Sequence, residues 1–257
     1  GKIRKIYAAG GVTCLSVPMD ASGIRPDCLG DARVLHLSPA HHFPTGLVTP
    51  LHRRRALIDW AQRVDGFIIE DDYDTEFRFQ GRPLAPMQTM DPERVIYMNT
   101  FSKTLSPSIR ISYMVLPEAL MARFREKLGF YGCTVPSFEQ YTLAYFLDRG
   151  YFEKHINRMR KFYRARRNRV IAMLERCPAA DKLTILEQDA GLHFLLKVET
   201  ALDDRALTAL FAQSGLHVQP LSSFHTHPTE DCRGMLVINY SAVDERALEE
   251  GLGKLEI

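Results

Sequence analysis

The sequence predicts an α/β fold built on a largely parallel sheet, followed by a smaller α+β unit. Three observations carry this. Short apolar runs of strand length alternate with a helical pattern through the first half of the chain. Three polar segments, residues 41–46, 71–74 and 100–110, each follow directly on one of those runs. In open α/β sheets ligands sit beyond the carboxyl ends of the strands, so this shared placement marks one candidate site. Beyond Pro117 the pattern changes to consecutive helices and then to a second set of short strands.

In chain order, residues 4–20 read as a βα-type opening. Ala9-Gly10-Gly11 is a break, 12–17 a strand and 20–23 a turn. Residues 34–37 read as a short strand buried on both faces, ending in the turn-rich stretch 38–46. A helix is expected over about 50–64, with Leu51, Leu57, Ile58 and Ala61 as its apolar stripe. The run Phe67-Ile68-Ile69-Glu70 is a strand that ends in Asp71-Asp72-Tyr73-Asp74. Strands at 94–98 and 111–116 flank the loop 100–110. Helices are expected at 118–128, 136–149 and 151–175. The last carries Phe152, Ile156, Met159, Tyr163 and Val170 on one face, and Arg158, Lys161, Arg164, Arg167 and Arg169 on the other. Strands at 183–186, 192–198, near Val218 and at 236–240, with helices at 203–214 and 244–255, complete the smaller unit. The division expected is 1–125 for a ligand-binding unit, 126–175 for linking helices and 176–257 for the small C-terminal unit.

The bulk properties set outer limits. Hydrophobic residues make up 46% of the 257 and charged ones 25%, ordinary values for a globular protein. The formal net charge of +2 demands no nucleic-acid or membrane partner. The five cysteines are scattered and form no CxxC pair, which points to reduced thiols in a cytoplasmic setting and away from disulfides or zinc. No apolar run reaches the ~18–20 residues of a membrane span, and no signal peptide is expected. His41-His42, His225 and His227 lack a carboxylate or cysteine at matching spacing, so they read as loop polarity and no metal is expected. The basic face of helix 151–175 reads as a solvated face of an amphipathic helix.

The loop Thr100-Phe101-Ser102-Lys103-Thr104-Leu105-Ser106-Pro107-Ser108-Ile109-Arg110 organises the chemistry. A lysine held between two buried strands would be desolvated, which favours a nucleophilic amine. Hydroxyls and an arginine beside it suit a dianionic phosphate, because the guanidinium fork matches phosphate oxygens. The combination suggests a pyridoxal phosphate Schiff-base site. Lys103 would supply the amine. Asp71 is the candidate carboxylate for the pyridine nitrogen, Tyr73 the donor to the phenolic oxygen, and Thr100, Ser102 and Arg110 the phosphate contacts. The run Glu70-Asp71-Asp72 is costly by like-charge repulsion unless a cation lies nearby. No GxSxG hydrolase signature is present.

Four blocks of this sequence, SPAHHFPTG (38–46), IIEDDYDTEFRFQGRPL (68–84), VIYMNTFSKTLSPSIRISYMVLP (95–117) and GYFEKHINRMRKFYRARR (150–167), resemble the aminotransferase-like domain of MocR-type regulators of the GntR superfamily. The resemblance implies a partial fold-type-I aminotransferase large domain plus a small C-terminal domain. It also implies pyridoxal phosphate on Lys103, the roles already given to Asp71, Tyr73, Thr100, Ser102 and Arg110, and a homodimer with the cofactor near the subunit interface. The basic helix becomes a connector between the domains. Three departures stand out. No winged helix-turn-helix is present, so DNA would be reached only through a preceding domain. The first half of the large domain, with its glycine phosphate turn and ring-stacking aromatic, is also missing, so apolar edges should be exposed. Finally, Val237 stands where catalytic members carry the substrate-carboxylate arginine, with Arg233 out of register, and Ser112 replaces a glycine.

The leading expectation is therefore an effector-sensing domain that binds pyridoxal phosphate and a small amine or amino acid. The alternative is a working aminotransferase in which Lys103 moves the proton. A third reading is an oligomerisation domain without cofactor.

Overall fold

A computed structural model describes residues 2–79, 84–186, 189–226 and 228–255. The chain begins with α1 (Lys2–Ala9), none of whose residues is buried. The strand expected at 12–17 does not form. Val12 and Leu15 are 53% and 64% exposed, so the alternation there has no sheet to join. A two-stranded hairpin follows, β1 (Met19–Asp20) and β2 (Gly23–Ile24).

The first sheet holds β3 (Val34–Leu37), β4 (Phe67–Asp72), β5 (Val95–Thr100) and β6 (Ser112–Val115), in that order. The β3–β4 and β4–β5 pairs are parallel and β5–β6 is antiparallel, in keeping with the mostly parallel sheet expected. Between β3 and β4 runs α2 (Leu51–Arg63). Its Leu57, Ile58, Trp60 and Ala61 pack on Leu35, Leu37, Ile68 and Val95 to make the first core. Here β3 corrects an expectation: Leu35 and Leu37 are buried, but Val34 is exposed and His36 half-buried, so only one face is covered.

The acidic run on β4 is resolved by the strand's period of two. Glu70 and Asp72 are buried on one face and Asp71 turns to the other. The Glu70 carboxylate accepts from the backbone N–H groups of Met87 (2.9 Å) and Gln88 (3.0 Å). Asp72 accepts from the Tyr97 hydroxyl at 2.8 Å. Arg54, itself buried, is the nearby cation for both, and it donates to the carbonyls of Thr49, Ala85 and Pro39. Burial raises both carboxyl groups above their ordinary range.

After the sheet come α3 (Glu118–Leu128), α4 (Ser137–Asp148) and α5 (Tyr151–Leu174). The second sheet is antiparallel, with β7 (Leu183–Leu186), β8 (His193–Val198), β10 (Met235–Asn239) and β9 (Gln219–Pro220) in the order β7-β8-β10-β9. The helices α6 (Asp204–Gln213) and α7 (Glu245–Leu252) complete this unit. Asp203 and Asp244 cap them by accepting backbone N–H groups of their first turns. Its core gathers Val170 and Leu174 of α5 with Phe194, Leu196, Val198, Leu207, Phe211, Leu236 and Leu252. Phe77 and Phe79 belong to this second core, although they follow β4 of the first sheet.

The basic face of α5 is largely solvated, as expected, with Arg158, Lys161, Arg164 and Arg169 exposed, but Arg167 is buried and several arginines of the helix reach protein partners. Arg160 donates to the carbonyl of Glu76, and Arg164 to that of Phe79 at 2.6 Å. Arg167 lies over the Phe79 ring at 4.9 Å, and Arg169 pairs with Glu245 at 2.7 Å. These arginines grip the segment that leaves β4 and the start of α7. Apolar exposure falls elsewhere in the chain: every residue of β6 is exposed, α3 and α4 bury no residue, and Phe130, Phe138 and Tyr141 stand open. Among the described residues no helix is long and apolar enough to cross a membrane.

Candidate functional site

Parallel pairing of β4 with β5 brings their carboxyl ends together, and with them two of the segments singled out in the sequence. Asp71 pairs in register with Met98, just short of the loop that carries Lys103. Its carboxylate lies 3.4 Å from His36 Nε2, and the other ring nitrogen of His36 is 2.8 Å from the Tyr7 hydroxyl. A Tyr–His–Asp chain thus runs from α1 to the end of β4.

The lysine loop is pinned at its base. Phe101 N–H donates to Ile111 O at 3.0 Å, and Leu105 N–H to Phe101 O at 2.8 Å. The Thr100 hydroxyl donates to Ile111 O and accepts from Ser102 N–H, each at 3.2 Å. That hydroxyl is therefore a staple of the loop, and its proton is not directed at a ligand. Thr104 is buried, and its carbonyl is 2.8 Å from His155 Nε2 of α5. Lys103 is exposed, against the desolvation expected from its place between two strands. Arg110, with a left-handed φ of 51°, also projects from the loop exposed. Neither Lys103 nor Arg110 makes a hydrogen bond or ion pair among the described residues.

The second focus is a knot of buried polar groups. His41 and Asp74 are 2% and 3% exposed. His41 Nδ1 lies 3.0 Å from each Asp74 carboxylate oxygen. The Tyr73 hydroxyl donates to the backbone carbonyl of His41 at 3.1 Å and lies 3.4 Å from His41 Nδ1. His193, at the start of β8, sets its ring 4.5 Å from that of His41 at a tilt of 41°, and its Nε2 meets Pro44 O at 3.1 Å. The reading of His41 as loop polarity is corrected by this burial. Ligand atoms of His41, Asp74 and His193 all lie within 4.8 Å of one another. Two positive groups oppose a cation there: Lys103 acts on His193, and Arg78 lines the same small cavity as His41 and Asp74. His225 stands 3.8 Å from the sulfur of Cys232, and His227 lies outside the described residues.

Burial, with the charges of Asp74, Asp71 and Asp72, pushes the Tyr73 phenol well above its ordinary value, so it keeps its proton and acts as a donor. Burial, reinforced by His41, lowers His42 to about 4 and His193 to about 3. Both rings are neutral in the fold. Unfolding returns them to about 6.5, so the unfolded chain binds more protons below that pH. Stability contributed by this neutral pairing is full above pH about 6.5 and is lost as pH falls toward 3–4, with a slope of up to about 1.4 kcal/mol per pH unit for each ring. Urea unfolding at pH 7.5 and 5.0 is expected to show this loss, and His193→Gln is expected to shrink it. An unchanged difference in that variant would remove His193 from the account.

A larger cavity of about 570 Å³ is lined by Glu76, Asn99, Phe101, Tyr113, Gln140 and Phe152 among others, and Thr100 is the one candidate residue on its wall. Asp71, Tyr73 and Lys103 are not among the residues that line it. Val237 pairs with Leu195 and Gln219 and packs beside Leu221 and Cys232, so no cation occupies that register position. Arg233 is exposed and donates to Ala201 O. Sequence reasoning missed Asp74, His193 and Gly191. Asp74 and His41 lay inside the sequence blocks already singled out, but their contact spans 33 residues and has no local signature.

The residues present fit pyridoxal phosphate in their donor chemistry. The structure offers an unpaired lysine and an unpaired arginine on one pinned loop, a carboxylate at an adjacent strand end and a protonated phenol beside it. Comparison with known proteins agrees. The family model of class I and II aminotransferases matches residues 23–255. The HTH-type transcriptional regulator YdeL of Bacillus subtilis is 36% identical over 259 residues, covering 99% of this chain and 55% of that protein. The probable rhizopine catabolism regulatory protein MocR of Rhizobium meliloti is 36% identical over 244 residues, covering 94% of this chain and 48% of its own. The chain thus spans about half the length of these curated relatives. Among solved structures, the kynurenine aminotransferase of Pyrococcus horikoshii, in complex with PMP, superposes with a TM-score of 0.76 at 27% identity, over 94% of this chain and 62% of that one. With a fold-type-I sheet, a lysine loop at its carboxyl edge and a matching family model over most of its length, this chain belongs to the class I and II aminotransferase family.

Proposed function

We propose that this chain is the pyridoxal-phosphate-binding, effector-sensing unit of a MocR-type transcriptional regulator. The observation that carries the reading is the meeting of the Lys103 loop with Asp71 and Tyr73 at neighbouring strand ends, in a chain whose register position 237 holds valine. Lys103 is the covalent anchor, Asp71 faces the pyridine nitrogen, Tyr73 donates to the phenolic oxygen by turning its proton from the His41 carbonyl, and Arg110 with Ser102 takes the phosphate. Thr100 supports that set by shaping the loop. The bound cofactor supplies an electron sink for an attached amine. The similarity to regulators at 36% identity favours sensing over turnover. So does a pocket without a carboxylate-gripping arginine at position 237. A small amine or amino acid is the signal, passed on by differential affinity for two arrangements of the whole protein. DNA is contacted by another part of the regulator, the working assembly is a homodimer, and the setting is cytoplasmic.

Titrating the protein with pyridoxal phosphate is expected to give a visible absorption band that Lys103→Ala abolishes. Absence of any such band in the wild type at saturating cofactor would remove the reading. Adding amino acids is expected to shift the band without sustained formation of keto acid. Continuous keto-acid production would turn the assignment to a working aminotransferase.

A further inference from the structure

The cavity of about 570 Å³ beside the foot of the Lys103 loop has no part in the cofactor reading beyond Thr100 on its wall. We propose that it is a second ligand site, which takes a small organic ammonium ion with an aromatic or alkyl body. Glu76 receives the ammonium group, and a wall of aromatic rings takes the body. Nothing in this depends on pyridoxal phosphate.

The volume is that of a small-molecule pocket, and the wall is mainly apolar. Among the described residues that line it, Glu76 is the one with a charged side chain, so a ligand's charge has a single counterpart and its sign is fixed. That carboxylate is only half engaged. Its Oε1 accepts from the Asn99 amide at 3.2 Å, while Oε2 is buried without a partner among the described residues. The guanidinium of Arg160 goes to the Glu76 backbone carbonyl instead. The last torsion of a glutamate is broad, so a small turn brings Oε2 to a donor in the cavity. The surroundings favour a cation as well. Burial, with the charges of Asp72 and Asp74, raises the Glu76 carboxyl above its ordinary range, and an arriving positive charge favours the ionised carboxylate against both. The ring centroid of Phe101 lies 5.5 Å from that of Tyr113 and 5.8 Å from that of Phe152, so three rings from the loop, β6 and the start of α5 form one continuous wall. Aromatic faces attract ammonium groups and pack on aryl bodies. An occupant also touches the foot of the Lys103 loop, because Phe101 and Ile111, whose backbones close it, belong to the same wall.

The test uses the whole 257-residue protein. The probe is N,N-dimethyl-2-phenylethylamine, a tertiary amine that carries one N–H when protonated and forms no Schiff base. Calorimetry at neutral pH is expected to give a Kd of about 1 mM or tighter, with 2-phenylethanol at least about tenfold weaker and 3-phenylpropionate without binding. The Phe101 backbone amide is expected to shift in 1H–15N spectra as the cavity fills. Glu76→Gln, whose Oε1 still accepts from Asn99, is expected to weaken the ammonium ion about tenfold or more and to leave 2-phenylethanol unchanged. Ala144→Trp, a change at an exposed position of α4 on the cavity wall, is expected to abolish binding with urea unfolding unaltered. Absence of probe binding overturns the proposal, as do equal binding of the neutral alcohol, a Phe101 amide that does not move, and an unaltered ammonium affinity in either folded variant. Probe affinity that falls as protein concentration rises, alongside dimers in sedimentation, assigns the cavity to an interface between copies and overturns it too. Because the probe forms no Schiff base, failure of the pyridoxal phosphate titration sinks the function proposed above and leaves these measurements to decide this one.

Discussion

Gly191→Ala is expected to destabilise the protein by about 2–4 kcal/mol, although it adds a single methyl group. Gly191 has a φ of +70°, a region that costs any other residue, and its hydrogen atoms face the His41–Asp74 pair. A Cβ there would stand 1.8 Å from His41 Cε1, 2.2 Å from Nδ1 and 2.7 Å from Asp74 Oδ2. None of these atoms can easily withdraw. His41 is held by Asp74 and backed by His193. The glycine is fixed too: its N–H donates to Phe77 O at 3.1 Å and its carbonyl accepts from the Tyr240 hydroxyl. Urea unfolding measures the loss. The double variant His41→Ala, Gly191→Ala is expected to be less destabilised than the sum of its parts, since removing the ring removes the two closest clashes and leaves the backbone strain and the contact with Asp74 Oδ2. Additive losses would show that the two residues do not touch.

What the sequence made legible divides along physical lines. The helices α2, α5, α6 and α7 and the strands β3 to β5 were readable because each buries apolar residues at its own period, whereas α3, α4 and β6 form where expected although they bury none. In α2, for instance, Leu57, Ile58 and Ala61 sit against the sheet as their spacing requires. The segment at 12–17 failed because alternation predicts a strand only if a partner is present, and Val12 and Leu15 have none. Lys103 was placed on the correct loop with the wrong environment, since a place between two strands in sequence does not say whether anything packs over the side chain. The arginines of α5 show the same limit. Their spacing described one face correctly, and Arg158, Lys161, Arg164 and Arg169 are exposed on it, yet the burial of Arg167 and the reach of Arg164 to the Phe79 carbonyl are settled by tertiary packing. Least readable was the Asp74–His41 pair, made between two loop ends that only the parallel pairing of the sheet brings together.

Phe77→Ala is expected to cost about 3–5 kcal/mol and to disturb both units at once. The side chain is fully buried in the second core and meets Tyr163 of α5 edge-on at 5.0 Å. Its backbone is equally engaged, with N–H to Asp74 O at 3.0 Å and C=O to Gly191 N–H. The chain that carries Asp71 near the end of β4 therefore passes through Tyr73 and Asp74 and plunges within a few residues into the core of the smaller unit, where Arg160 and Arg164 clamp it. Such a tether gives a change in seating of the smaller unit a short mechanical route to the groups proposed to hold the cofactor. Hydrogen exchange can separate the two consequences. Truncating Leu57, fully buried in the first core, should lower protection mainly in α2 and β4. Phe77→Ala should lower it in β8 and α5 and also raise exchange at Tyr73 and Asp74. Loss confined to β8 and α5 would mean that the tether carries no strain to the site, and the route from the smaller unit to Tyr73 would have to run through His193 alone.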